Sequence, residues 1–147
     1  MLKNISFFLI FVVLFSACDK EPAKKGSGKF GMLDTNNPEY AAIEFFDHIY
    51  HSKSIESSIK LSTPKMGRLL RSYHTNKGVQ KYVLNMRFDK VVIQPSTMSA
   101  GRNEFAKEAQ ISLFFEGELE GDIVKDMRNV ELLKVDNKWK VDEVSVD

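Results

Sequence analysis

The sequence is short of several things, and each shortage excludes something. Cys18 is its only cysteine, so no disulfide can close within the chain. Its longest apolar run, Ile5 to Phe15, covers 11 residues with Ser6 inside it, whereas a membrane-spanning helix needs about 20. Charge of one sign is not in excess. Setting Lys3 aside with the residues before Cys18, the remainder balances at 20 Lys and Arg against 20 Asp and Glu, which argues against nucleic acid as a partner because a phosphate-binding surface normally shows a basic excess or stripe. There is no GxGxxG, phosphate loop, GxSxG or cysteine nucleophile, so the usual dinucleotide, nucleotide and hydrolase signatures are missing. What is present, 43% hydrophobic and 28% charged residues in a chain of 147, suits one folded domain with a core of its own.

The front of the chain has a charge at Lys3, the apolar run, and the small residues Ser16 and Ala17. That order predicts a secretory signal over residues 1–17. Leu14-Phe15-Ser16-Ala17-Cys18 resembles the lipobox of bacterial lipoproteins, with Phe15 standing where a smaller aliphatic residue is usual. The resemblance implies a diacylglycerol on the Cys18 thiol, cleavage before Cys18 and acylation of the new amine. Each buried methylene contributes about 0.8 kcal/mol, so two or three acyl chains make a stable anchor. Asp19 resembles the signal that keeps such proteins in the inner membrane, and the choice between inner and outer membrane stays open. Residues 18–36, with Pro22, Gly26, Gly28, Gly31 and scattered charge, show no period and read as a flexible spacer with a reach of roughly 20–25 Å. Phe30, Met32 and Leu33 are candidates for a strap onto the domain. The folded domain is expected over residues 37–147.

Asn37-Pro38-Glu39 has the form of a helix start: a capping side chain, proline at the first helical position and an acid in the first turn. Ala42, Phe45, Phe46 and Ile49 follow at helical spacing. A short helix is expected from Ile55, a longer one after Ser62-Thr63-Pro64 with Met66, Leu69, Leu70 and Tyr73 as its stripe, and another from Asn76 with Val79, Tyr82, Val83 and Met86. After Phe88 the period changes. Val91-Val92-Ile93 predicts a short strand ended by Pro95, then a loop over 96–103. A half-buried strand over 105–115 points Phe105, Lys107, Ala109, Ile111, Leu113 and Phe115 to one side. Gly117 and Gly121 are expected to bracket a turn, and a strand over 122–135 follows. Asp136-Asn137 is expected to be a tight hairpin turn, with a returning strand to Val146 and a bulge near Asp142-Glu143. Helices first and antiparallel strands last predict an α+β domain, with the helices on one face of a curved sheet of about four main strands.

This order, with the closing stretch Val130-Glu131-Leu132-Leu133-Lys134-Val135-Asp136-Asn137-Lys138-Trp139-Lys140-Val141-Asp142, resembles the nuclear transport factor 2-like (cystatin-like) superfamily. The Ser62-Thr63-Pro64 break resembles its lumazine-binding-like group of bacterial lipoproteins. The resemblance implies a cone whose pocket lies between the first helix and the sheet. Its members include isomerases, dehydratases, hydrolases and non-enzymatic binding domains, so the fold does not choose a function.

An isomerase of that shape would carry a carboxylate in the pocket to move a proton. The best-patterned strand offers only Ala109, Ile111, Leu113 and Phe115 inward. Asp126 and Arg128 are the weak catalytic candidates. The expected lining is Phe45, Ile49, Tyr82, Ile111, Leu113, Phe115 and Trp139. His48 and His51 share a helix face, but no third ligand has readable spacing, so neither metal nor cofactor is expected. Tyr40, Tyr50, Tyr73 and Tyr82 are more simply core aromatics than a ligand cleft. Three readings stand. The first is a membrane-tethered binding domain, for a small apolar ligand or an envelope protein. The second is a small isomerase or hydrolase using Asp126 and Arg128. The third is a self-associating module that dimerises through the sheet, with Phe114 projecting from its outer face.

Overall fold

The computed structural model describes residues 37–96 and 107–146. The signal segment, Cys18, the spacer with Phe30, Met32 and Leu33, most of the expected 96–103 loop, and Phe105 lie outside the described residues.

The first helix, α1 (Pro38–His51), starts where the sequence predicts: the Asn37 side chain accepts a hydrogen bond from the Glu39 N–H at 2.9 Å. A short α2 (Glu56–Lys60) follows, then α3 (Pro64–Tyr73), whose cap is Thr63. The Thr63 hydroxyl accepts from the Met66 N–H and donates to Asp142 at 2.6 Å, tying the helix start to the last strand. The fourth helix, α4 (Asn76–Tyr82), is shorter than its apolar stripe suggested. Its cap is Thr75, one residue before the expected start, and Asn85 turns the chain with a left-handed φ of 47°. Met86 therefore reaches the core from a loop, not from the helix.

Four strands follow in sequence order, each antiparallel to the next: β1 (Lys90–Pro95), β2 (Glu108–Leu119), β3 (Asp122–Val135) and β4 (Lys138–Val146). The protein is thus α+β, with helices preceding a four-stranded antiparallel sheet. β1 ends at Pro95, as expected; it is an edge strand, where a missing N–H need not break a ladder. Gly117 does not open a turn. It lies inside β2, and a Cβ there would meet the Lys90 carbonyl oxygen and, at 2.6 Å, the Phe88 ring. The turn is Glu120-Gly121, with φ of 54° and 93°, and the second hairpin turns on Asp136-Asn137, with φ of 49° and 60°. Both pairs have the positive φ that two-residue hairpins need.

The bulge is at Asp142. Glu131 pairs with Glu143 while Leu132 pairs with Val141, leaving Asp142 unmatched. This one extra residue keeps Trp139, Val141 and Val144 on the same side of the sheet, although their spacing changes parity. On that side stand Ile111, Leu113, Phe115, Val130 and Leu132, all buried. Across them lies α1, which touches all four strands as well as α2 and α4.

Truncating Phe115 to Ala is expected to cost about 3–5 kcal/mol in a urea titration. Gly117→Ala, which pushes β1 away from β2, is expected to destabilise although it adds only one methyl group.

Candidate functional site

The helix-covered face of the sheet is where the resemblance implies a pocket, and it is filled. Phe45, Phe46, Ile49, Leu113 and Phe115 have no exposed surface, and Ile111 and Trp139 are buried with them. The Phe46 ring meets Phe115 edge-on at 5.0 Å between centroids, and Phe45 meets Phe46 the same way at 5.1 Å. Six of the seven expected lining residues therefore come together as packed core. Tyr82 is the exception and a correction: it is 62% exposed and stacks on Tyr73 at 5.8 Å, away from these residues. The physical reason is that α4 turns Val79 and Gln80 inward and stops at Tyr82, so the expected stripe never completes its second turn.

Asp126 and Arg128 do share the helix-covered face, because Asp126 pairs with Phe115 and Arg128 with Leu113 in the sheet register. Arg128 is 4% exposed. Its Nη1 donates to Asp126 Oδ1 at 2.5 Å and to the Met127 carbonyl at 3.0 Å, and its Nη2 reaches the Leu84 carbonyl at 3.5 Å. Beside it, the Tyr50 hydroxyl donates to the Met86 carbonyl at 2.9 Å, and its ring packs edge-on against Phe88 at 5.7 Å. Burial pushes the Tyr50 phenol well above its ordinary value; Arg128 pulls it down and Asp126 pushes it up, both less strongly. Tyr50 and Arg128 together pin the segment between α4 and β1. The Asp126 side chain keeps 29% of its surface, so one carboxylate edge remains at the rim. Chemically, a guanidinium held this way is a structural cation first.

The two histidines of α1 turn to separate partners. His48 Nδ1 meets the Ser52 hydroxyl at 2.8 Å, and His51 Nδ1 meets Asp47 at 3.0 Å. Among the described residues, no three His, Cys, Asp or Glu side chains converge. Tyr40 is half-buried, with its phenol pushed up by burial and by Glu44 and Asp47. Among the described residues, no helix is long and apolar enough to cross a membrane.

Two open grooves lie elsewhere on the surface. One, of about 290 Å³, runs over the outer sheet face between Val92, Glu116, Glu118 and Ile123. Phe114, facing Met127 there, is half-buried. That face also carries exposed apolar surface, because Val92 and Ile123 are 58% and 69% exposed. The other groove, of about 440 Å³, is bounded by Lys81, Tyr82, Asn85, Arg87 and Leu119. It belongs to a cationic region that a whole-chain charge count hides: from Ser57 to Phe88 the sequence has 7 Lys and Arg and no Asp or Glu. A windowed charge count would have found it.

No protein-family model matches the chain, and no curated protein matches it.

Asp126→Asn is expected to cost about 1–3 kcal/mol in urea denaturation, because it weakens the partner of a buried cation. Raised above its unfolded value, the Tyr50 phenol contributes stability that is complete below about pH 10 and lost as pH rises beyond it, since only the unfolded chain then releases that proton. Urea midpoints at about pH 9 and 11 are expected to fall less in Tyr50→Phe than in the wild type.

Proposed function

We propose that this chain is a cell-envelope lipoprotein, acylated at Cys18, whose domain is a nuclear transport factor 2-like cone acting outside the cytoplasm as a non-enzymatic binding module. The fold class supports the cone: capped helices precede a four-stranded antiparallel meander, and the first helix covers one sheet face. The observation that carries the passive reading is the filling of that face by Phe45, Phe46, Leu113 and Phe115. A small apolar ligand would have to displace those rings, so a protein partner on an outer surface is the better-supported occupant. The isomerase or hydrolase alternative needs Asp126 and Arg128 to face a substrate. The guanidinium instead spends hydrogen bonds on Asp126, Met127 and Leu84.

Self-association has one specific observation in its favour, the exposed Val92 and Ile123 that line one groove on the outer face that also bears Phe114 and Met127. A monomeric mass in solution removes it.

In a bacterial host, the wild-type chain is expected in the membrane fraction with a mature mass that begins at Cys18 and includes acyl chains. Cys18→Ser is expected to lose both properties. A Cys18→Ser chain that still fractionates with membranes at full yield after a wash at about 1 M salt, which screens surface charge, overturns the anchor. Crosslinking in intact cells is expected to capture an envelope protein; repeated recovery of the domain alone counts against the binding role.

A further inference from the structure

The cations between Ser57 and Phe88 are segregated from the carboxylates. From Asp89 onward the sequence has 13 Asp and Glu against 8 Lys and Arg, of which 8 and 6 stand on the four strands, so a chain of balanced charge has a cationic helix pair followed by a mixed segment with an anionic excess. Lys65 is bound to Asp142 and Glu143. Arg68, Arg71, Lys77, Lys81 and Arg87, all exposed, are in no ion pair with another described residue. Buried Met66 and Leu70 hold α3 to the core and buried Val79 holds α4, which leaves the charged sides of both helices to solvent.

Apolar groups stand among these cations. Leu69 is 42% exposed and Tyr73 37%, and Tyr73 stacks on Tyr82 across the ends of α3 and α4 with 19° between the rings. Lys81 Nζ stands 4.8 Å from the Tyr82 ring centroid, at the mouth of the groove that Arg87 also bounds. Fixed cations beside exposed tyrosines and a leucine match the chemistry of an anionic bilayer surface. Lys and Arg meet phosphates, tyrosine rings settle at headgroup depth, and leucine reaches the acyl boundary. Nucleic acid would use the cations but gives Leu69 nothing to do.

We propose that the α3–α4 face docks on anionic phospholipid headgroups and lays the domain against the bilayer. The proposal rests on the lipoprotein reading only for proximity, since an acylated Cys18 keeps the domain within a spacer's reach of the headgroups.

The test is hydrogen exchange on the full acylated chain in phosphatidylglycerol-rich vesicles and in phosphatidylcholine vesicles. Backbone amides of residues 64–87 are expected to be protected in the first and not in the second. Raising salt from about 0.1 M to about 1 M, which shortens the screening length from about 10 Å to about 3 Å, is expected to erase the difference. Arg71→Gln and Lys81→Gln are each expected to lower the docked-to-free ratio roughly fivefold, while Lys138→Gln on the sheet leaves it unchanged. Thermal melts of the variants check that they fold. Equal exchange in both vesicles overturns the proposal, as does protection confined to the sheet or protection produced by single-stranded DNA and not by phosphatidylglycerol. Intact mass reports Cys18 acylation separately. An unacylated chain that still shows salt-sensitive protection of 64–87 retires the anchor and keeps the docking face.

Discussion

The sheet has one side lined by Ile111, Leu113, Phe115, Val130 and Leu132, and among the described elements α1 alone lies across all four strands to cover it. Burying α1 so deeply has a consequence for its backbone. The carbonyls of its last turns cannot reach water freely, and an unsatisfied buried carbonyl costs about 1–3 kcal/mol. The neighbouring helices supply the donors. Ser58 Oγ donates to the Phe45 carbonyl at 3.1 Å, Gln80 Nε2 to the Ile49 carbonyl at 3.0 Å, and Asn76 Nδ2 to the Ser52 carbonyl at 2.6 Å. The Ile49 carbonyl lies in the last turn, beyond reach of any helical N–H, so α4 stands where α1 requires a donor; the Phe45 carbonyl already accepts within the helix, and the Ser58 bond from α2 is an additional one.

The same requirement accounts for the burial of Arg128. The link from α4 to β1 passes over the end of α1 with its own carbonyls turned inward at Leu84 and Met86. Tyr50 and Arg128 are the donors that meet them. Arg128 is tolerated there because Asp126 neutralises it at 2.5 Å from the adjacent inward position of β3. A pair at positions i and i+2 on a strand is the simplest way to bring a cation and its counterion to one face. Seen this way, the two residues that look most catalytic in the sequence are employed in closing the fold.

Most of the architecture was legible because its signals are local. Asn37-Pro38, Thr63-Pro64 and Asp136-Asn137 each set backbone geometry with their own side chains or φ preferences, and the structure uses all three where expected. The errors fall where a long-range contact decides. Gly117 reads as a turn residue, but it is required by the close approach of Phe88 and Lys90 from β1. Val79, Tyr82, Val83 and Met86 form a helical stripe on paper, yet α4 ends at Tyr82. Which part of a stripe faces a core depends on the neighbours, and the sequence does not name them. The lining residues were legible as a group, but whether they enclose space or fill it was not, because that depends on a few ångströms of helix height.

Charge is the case where the sequence contained the signal and averaging removed it. A domain of about 100 residues has a radius of gyration near 13 Å, while electrostatic fields at physiological salt decay over about 8 Å. A large planar partner therefore responds to the side it faces and hardly to the charges beyond. A balance near zero for the whole chain describes its colloidal behaviour, not the surface it presents. Here the difference follows secondary structure: the helices after Glu56 have only cations to offer, while the strands mix 8 carboxylates with 6 cations. Because α4 is fastened to α1 through Asn76 and Gln80, and α3 packs on α2, α4 and β4, the backbone positions that bear their cations keep a fixed relation to one another. A flexible polybasic tail gives no such fixed geometry, and without it a charged surface can attract a bilayer but cannot choose an orientation on it.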